Sequence, residues 1–280
     1  STFSCHFSPR SRSHELPFPK GARLYVGCED CTPEEIETTR SKGYLRLCGA
    51  LLWVARNTMP GISFAVNQLC KMMSCPTPGA FQLALHTLQW AYDNRHTGIV
   101  FRSNGKPQPT VFYDASFNPD PNDGKSNYGF SSHLYGGPVS WTSKKLAHVG
   151  THVGMNETMA QCFGAKQGTW VYYLLKELRI SPTDLVDLYG DNDQATRLGQ
   201  EPMMTVSNKY YLPQYYYTRE VHGVTINCER VDTAENQSDL LTKAVDGPSL
   251  RKLLPRITGH VGTFGTLNLF DHTDPSYNPL

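Results

Sequence analysis

Asp114 lies inside the run Thr110-Val-Phe-Tyr-Asp-Ala-Ser-Phe117, whose β-branched and aromatic residues predict a core strand. An ionised carboxylate buried there is costly unless it is paired or binds a metal. Three further acids, Glu157, Asp191 and Asp239, stand downstream at the starts or ends of predicted elements. Each has an ordinary explanation. Asp114 can mark the point where the strand leaves the core, and Glu157 suits the positive end of a helix dipole. Asp191 resembles a helix N-cap, and Asp239 is placed to pair with Lys243 at i,i+4. Taken together they gain weight, because one sheet would gather all four at a single rim. Ligand sites of open α/β sheets lie at such rims, outside the carboxyl ends of the strands.

The elements that must carry these acids follow from the hydrophobic pattern. Strands are predicted at 110–116, 127–135 and 138–143, close enough in sequence to pair as an antiparallel meander. A long helix over 155–178 carries Met159, Phe163, Trp170, Val171, Leu174 and Leu178, with Asn156 as its candidate cap. A strand at 185–189, a short helix after Asp191, a tyrosine-rich helix at 208–221, a strand at 224–231 and a helix at 234–245 complete the pattern. The prediction is a mixed five-stranded α/β sheet, three antiparallel strands and then two parallel ones, flanked by helices.

Upstream, helical spacing from Tyr44 to Ala55, from Ile62 to Met73 and from Phe81 to about Asn94 predicts a small three-helix unit. The expected organisation is a linker at 1–42, a helical segment at 43–103, the sheet domain at 108–246 and a tail at 247–280. Within the tail, Leu250-Arg-Lys-Leu-Leu254 has the pattern of a short amphipathic helix.

Composition narrows the function classes. The 280 residues have a formal net charge of +1, so no global field selects nucleic acid or membrane. Eight cysteines are too sparse for a secreted disulfide scaffold and fit a reducing, cytoplasmic setting. Cys28 and Cys31 form a C-x-x-C without a second pair at zinc spacing, which points to ordinary loop thiols. No run has the length of a membrane span or the pattern of a signal peptide. Ser1 in place of an initiator Met is read as a processed product or a piece of something longer.

Several blocks, in unbroken order over about 43–245, resemble the C-terminal reverse transcriptase and ribonuclease H region of copia-type retrotransposon polyproteins. They are Tyr44-Leu-Arg-Leu-Cys-Gly-Ala-Leu-Leu-Trp53, Pro60-Gly-Ile-Ser-Phe-Ala-Val66, Pro138-Val-Ser-Trp-Thr-Ser-Lys-Lys145, Tyr189-Gly-Asp-Asn192 and Ser238-Asp-Leu-Leu-Thr-Lys243. The resemblance implies a ribonuclease H-like fold preceded by a helical connection segment. It makes Asp114, Glu157, Asp191 and Asp239 the catalytic, metal-binding acids of a nuclease acting on the RNA strand of RNA-DNA hybrids. The implied cofactors are two Mg2+, or Mn2+, about 3.5–4 Å apart, which activate a water and relieve charge on the leaving oxygen. Implied partners are the hybrid and the upstream polymerase portion, with no membrane, and the implied location is intracellular, within retrotransposon particles or free in the cytoplasm.

For substrate contacts, Asn192 is the candidate donor to a ribose hydroxyl, and Lys144, Lys145 and Lys209 are candidates for phosphate. Trp141 and the cluster Tyr210, Tyr211, Tyr215, Tyr216 and Tyr217 suit packing better than base stacking. The chain departs from the family where it reads His152-Val-Gly-Met-Asn-Glu157, which lacks the usual capping hydroxyls. It departs again at Lys209-Tyr-Tyr-Leu-Pro-Gln-Tyr-Tyr216 and at Asp232-Thr-Ala-Glu-Asn-Gln237, which lack the family's histidines. These departures support a rival reading, a non-catalytic hybrid-binding or scaffolding remnant, whereas the presence of all four acids opposes it. A carboxylate-pair glycosidase would leave two of the acids unexplained. No two aspartates are adjacent anywhere, so this chain alone is expected not to extend a primed RNA template. A primer-extension assay in which product lengthened would contradict that.

Overall fold

The computed structural model describes residues 15–25, 31–101, 108–117, 120–180, 185–202 and 212–261. The first helix, α1 (Pro33–Ser41), falls in the segment expected to be linker. Its Thr32 hydroxyl accepts from the Glu35 amide while the Glu35 carboxylate accepts from the Thr32 amide, so two otherwise orphaned donors are satisfied reciprocally. Three helices follow: α2 (Tyr44–Asn57), α3 (Ser63–Cys70), entered through a single 3-10 turn at Pro60–Ile62, and α4 (Pro78–Asp93). Thr77 caps α4, and Pro78 occupies a first-turn position where no N–H is needed.

The sheet is the mixed one expected. Strand β1 (Thr110–Ala115) pairs antiparallel with β2 (Asn127–Leu134), which pairs antiparallel with β3 (Gly137–Lys145). On its other side β1 pairs parallel with β4 (Val186–Gly190), and β4 with β5 (Ile226–Arg230), giving the order β3-β2-β1-β4-β5. The β2–β3 hairpin turns on Tyr135 and Gly136, both at positive φ (51° and 73°), the backbone a tight hairpin of this twist requires. The long helix α5 (Val153–Glu177) covers one face. Then come α6 (Asp193–Gln200), α7 (Leu212–Val221), α8 (Asp239–Thr242) and α9 (Gly247–Ile257).

Strand alternation divides β1 between two environments. Val111, Tyr113 and Ala115 join the core under α5 with Tyr128, Met159, Val186, Leu188 and Ile226. Phe112 and Asp114 face the opposite side, where Phe112 stacks on Tyr189 at 5.1 Å. A second core fills the helical unit, centred on Tyr44, Leu47, Leu51, Ile62, Leu69 and Trp90. Leu240 and Leu241 of α8 and Leu250, Leu253 and Ile257 of α9 belong to this second core. Residues 247–257, expected as tail, are therefore packed structure. The helix expected over 234–245 is instead a 3-10 turn at Thr233–Glu235 followed by the four residues of α8.

Gly190 ends β4 directly against the Tyr113 ring, and a Cβ there would overlap the ring's hydroxyl end. Gly190→Ala is expected to cost about 1–3 kcal/mol through overpacking, read as a lower urea or thermal midpoint. Gly98→Ala, where a Cβ meets nothing within 4 Å, serves as the control and should leave the midpoint unchanged.

Candidate metal centre

The four acids come from four elements. Asp114 projects from the central strand away from α5 and is 2% exposed. Asp191 directly follows β4, whose parallel pairing with β1 sets the two carboxyl ends side by side. Asp239 opens α8 and is 8% exposed. Carboxylate oxygens of Asp114, Asp191 and Asp239 all lie within 4.8 Å of one another. Glu157, in the second turn of α5 and 4% exposed, stands outside that set. Its Oε2 has no hydrogen-bond partner.

The placement of α8 depends on what lies beneath and before it. Gly129 of β2 is the register partner of Asp114, and a Cβ there would run into Leu241 and the Thr142 carbonyl. The missing side chain lets α8 settle onto the sheet. Asn236 donates to the Tyr113 carbonyl (2.9 Å) and accepts from the Ser238 amide, and Gln237 reaches His133 (2.6 Å) and Ser131. These buried amides anchor the chain just before Asp239. Burial holds the His133 imidazole down at about 3, so this network is uncharged at neutral pH. Thr242, one turn after Asp239, donates its hydroxyl to Asp114 Oδ2. Lys243 Nζ lies 2.7 Å from Asp239 Oδ1.

Crowding shows in the protonation equilibria. Burial, followed by the charges of Asp114 and Asp191, pushes the Glu157 carboxyl well above the carboxylate range. Burial also raises Asp114, and Lys243 and Thr242 only partly offset it. Asp239 is pushed up to about 7 by burial and by Asp114, against the pull of Lys243. A set of mutually repelling hard oxygens, buried at Asp114, Glu157 and Asp239 and partly buried at Asp191, with Glu157 Oε2 unpartnered, fits a divalent cation that prefers carboxylate oxygen. Among the described residues, Asp114, Asp191 and Asp239 are the one such cluster of metal-ligating side chains; Cys28 of the C-x-x-C lies outside them.

Other expected site residues fare differently. Asn192, not Asp191, is the N-cap of α6: its Oδ1 accepts from the Ala195 amide at 3.0 Å. This leaves the Asp191 carboxylate to face the cluster. Asn156 is not the cap of α5 either. His152 takes that role, its Nδ1 accepting from the Met155 amide at 3.1 Å, while Asn156 is buried and donates to the Ser116 carbonyl. Lys144 is exposed on the edge strand and, with Arg56, Asn67, Trp141 and Ser143, lines a cleft of about 150 Å³ between α2, α3 and β3. Lys145 is ion-paired with Asp123 at 2.7 Å. Lys209, Tyr210 and Tyr211 lie outside the described residues. Trp141 donates to the Ala55 carbonyl at 2.6 Å and Tyr215 is fully buried, so both serve packing. Sequence reasoning assigned no part to Asn236, Gln237 or Thr242. Only the spacing of Thr242, three residues after Asp239, could have placed it on the same face.

No family model matches the chain. It is 28% identical over 242 residues to the retrovirus-related Pol polyprotein from transposon RE1 of Arabidopsis thaliana, covering 86% of this chain. A second Arabidopsis thaliana relative, the Pol polyprotein from transposon RE2, is 27% identical over 237 residues, 84% of this chain. The chain is a homologue of retrotransposon Pol polyproteins. It spans 16% and 15% of the length of these two curated relatives. Among solved structures, it is similar to LC11-RNase H1 in complex with an RNA/DNA hybrid, at 12% identity and a TM-score of 0.36. That similarity covers 48% of this chain and 94% of the other. No described helix is long and apolar enough to cross a membrane.

Raised carboxyl pKa values make the metal-free fold bind more protons than the unfolded chain. Their contribution is therefore complete below the unfolded value, about 4, and is lost as pH rises through the folded value, about 7 for Asp239. In chelator, the thermal midpoint is expected to be several degrees higher at about pH 5 than at about pH 8, where each kcal/mol moves it by about 2–4 °C. Divalent cation should recover most of the loss at the higher pH. A midpoint that rose with pH in chelator would contradict the assignment of these acids.

Proposed function

We propose that this segment is the ribonuclease H part of a retrotransposon Pol polyprotein and hydrolyses the RNA strand of RNA-DNA hybrids with two Mg2+, or Mn2+. The observation that carries the reading is the convergence of Asp114, Asp191 and Asp239 within 4.8 Å, from acids spread over more than a hundred residues of chain. The substrate class follows the sequence resemblance, and the polyprotein context follows the homologues.

Asp114, Asp191 and Asp239 would hold the cations, with Glu157 beside them. Bound there, divalent ions supply an activated water and charge relief on the departing oxygen. The protein's own part is positional. Thr242 fixes the Asp114 carboxylate, Asn236 and Gln237 hold the approach to Asp239, and the Asn192 cap sets the chain direction at Asp191. Lys144, on the exposed edge strand, is the candidate for a phosphate contact that positions without reading sequence. His152 caps the start of α5 that the missing hydroxyls put at issue, which removes one of the two supports of the remnant reading, while the absent histidines still stand for it.

The test is gel-resolved cleavage of a labelled RNA-DNA hybrid by the full chain. Cleavage is expected with Mg2+ and not with chelator. Thr242→Val should slow it by about 10–100-fold, the usual cost of losing a group that orients a ligand. Asp114→Asn should slow it more than Thr242→Val does. A folded wild-type chain that leaves the RNA intact would favour the scaffolding remnant.

A further inference from the structure

The run Asp239-Leu-Leu-Thr-Lys243 sets an acid, a hydroxyl and an ammonium on one side of a single turn, at i, i+3 and i+4. Leu240 and Leu241 point the other way, into the helical core, which fixes the rotation of that turn. The Thr242 hydroxyl is spent on Asp114 and the Lys243 ammonium on Asp239. The ammonium also acts on the rest of the cluster: Asp114, Asp191 and Glu157 all feel its charge. The Lys243 side chain is 42% exposed and that of Asp239 only 11%, so the ammonium sits between the buried acids and solvent. A lysine in that place can swing outward on its flexible stem without dragging backbone.

Resting on the reading of these acids as a metal site, we infer that Lys243 is a tethered counter-ion that competes with divalent cations for Asp239 and Asp114. The inference adds a control over when the site loads: the protein carries one cation of its own at the acids, and metal binding must displace it. Without Lys243 the acids would be worse neutralised in the metal-free protein and more open to metal. With a more tenacious cation they would load less readily. Arginine is that cation, since its planar fork grips a carboxylate bidentately.

The experiment is calorimetric titration of the full chain with Mn2+, comparing wild type, Lys243→Gln, Lys243→Arg and Asp239→Asn, alongside thermal midpoints in chelator and in saturating Mn2+. Lys243→Gln is expected to bind Mn2+ up to about fivefold more tightly than wild type, the scale of a half-exposed ion pair. Its midpoint should fall more in chelator than in Mn2+. Lys243→Arg should bind more weakly than wild type. Gln at wild-type affinity or weaker overturns the inference. Should the Gln variant fail to fold, the Arg variant decides, and wild-type or tighter binding there overturns it. A wild-type chain that binds no Mn2+, or an Asp239→Asn chain that binds it equally well, overturns the metal-site reading itself and the inference with it.

Discussion

Like charges held out of water set the terms for this fold. Four carboxyl groups share one end of the sheet, three of them less than a tenth exposed, and in a low-dielectric setting their repulsion costs far more than it would in water. A protein selected for stability alone would replace them with apolar side chains. This one instead builds around them, with a threonine hydroxyl on Asp114, an ammonium on Asp239 and two buried amides bracing the approach. Such a cluster calls for something positive to complete it, and hard oxygen donors at these separations are compatible with a divalent ion.

Much of this was legible in the sequence for a simple reason: acids inside apolar runs are misfits, and misfits can be seen one residue at a time. Asp114 stood out against Val111, Phe112 and Tyr113, and the sheet around it followed from period-two runs and short connections. Choices between neighbours were harder. Asp191 and Asn192 are equally competent to cap α6, and only the backbone path shows that Asn192 does so. His152 was overlooked as a cap because an imidazole nitrogen is an uncommon acceptor there, although its geometry is the ordinary one.

Other features depend on distant parts of the chain and had no local signal. Helix α1 was hidden in a segment rich in charge and proline, although Thr32 and Glu35 form a capping box. Helix α8 is only four residues long because the tertiary fit of Leu240 and Leu241 overrides the longer helical pattern around it. Lys145 reads as a free surface charge until Asp123 is brought beside it by the β2–β3 pairing.

The two cores meet at α8, and this has a consequence for how the molecule comes apart. One side of that turn is anchored among α3, the 3-10 turn at Pro60–Ile62 and α9 by Leu240 and Leu241, and the other presents Asp239 and Thr242 to the central strand. The sheet therefore does not own its last acid outright. Trimming the chain to its strands and α5 would leave three acids in register and set the fourth adrift, so the sheet and the helical unit are one mechanical piece.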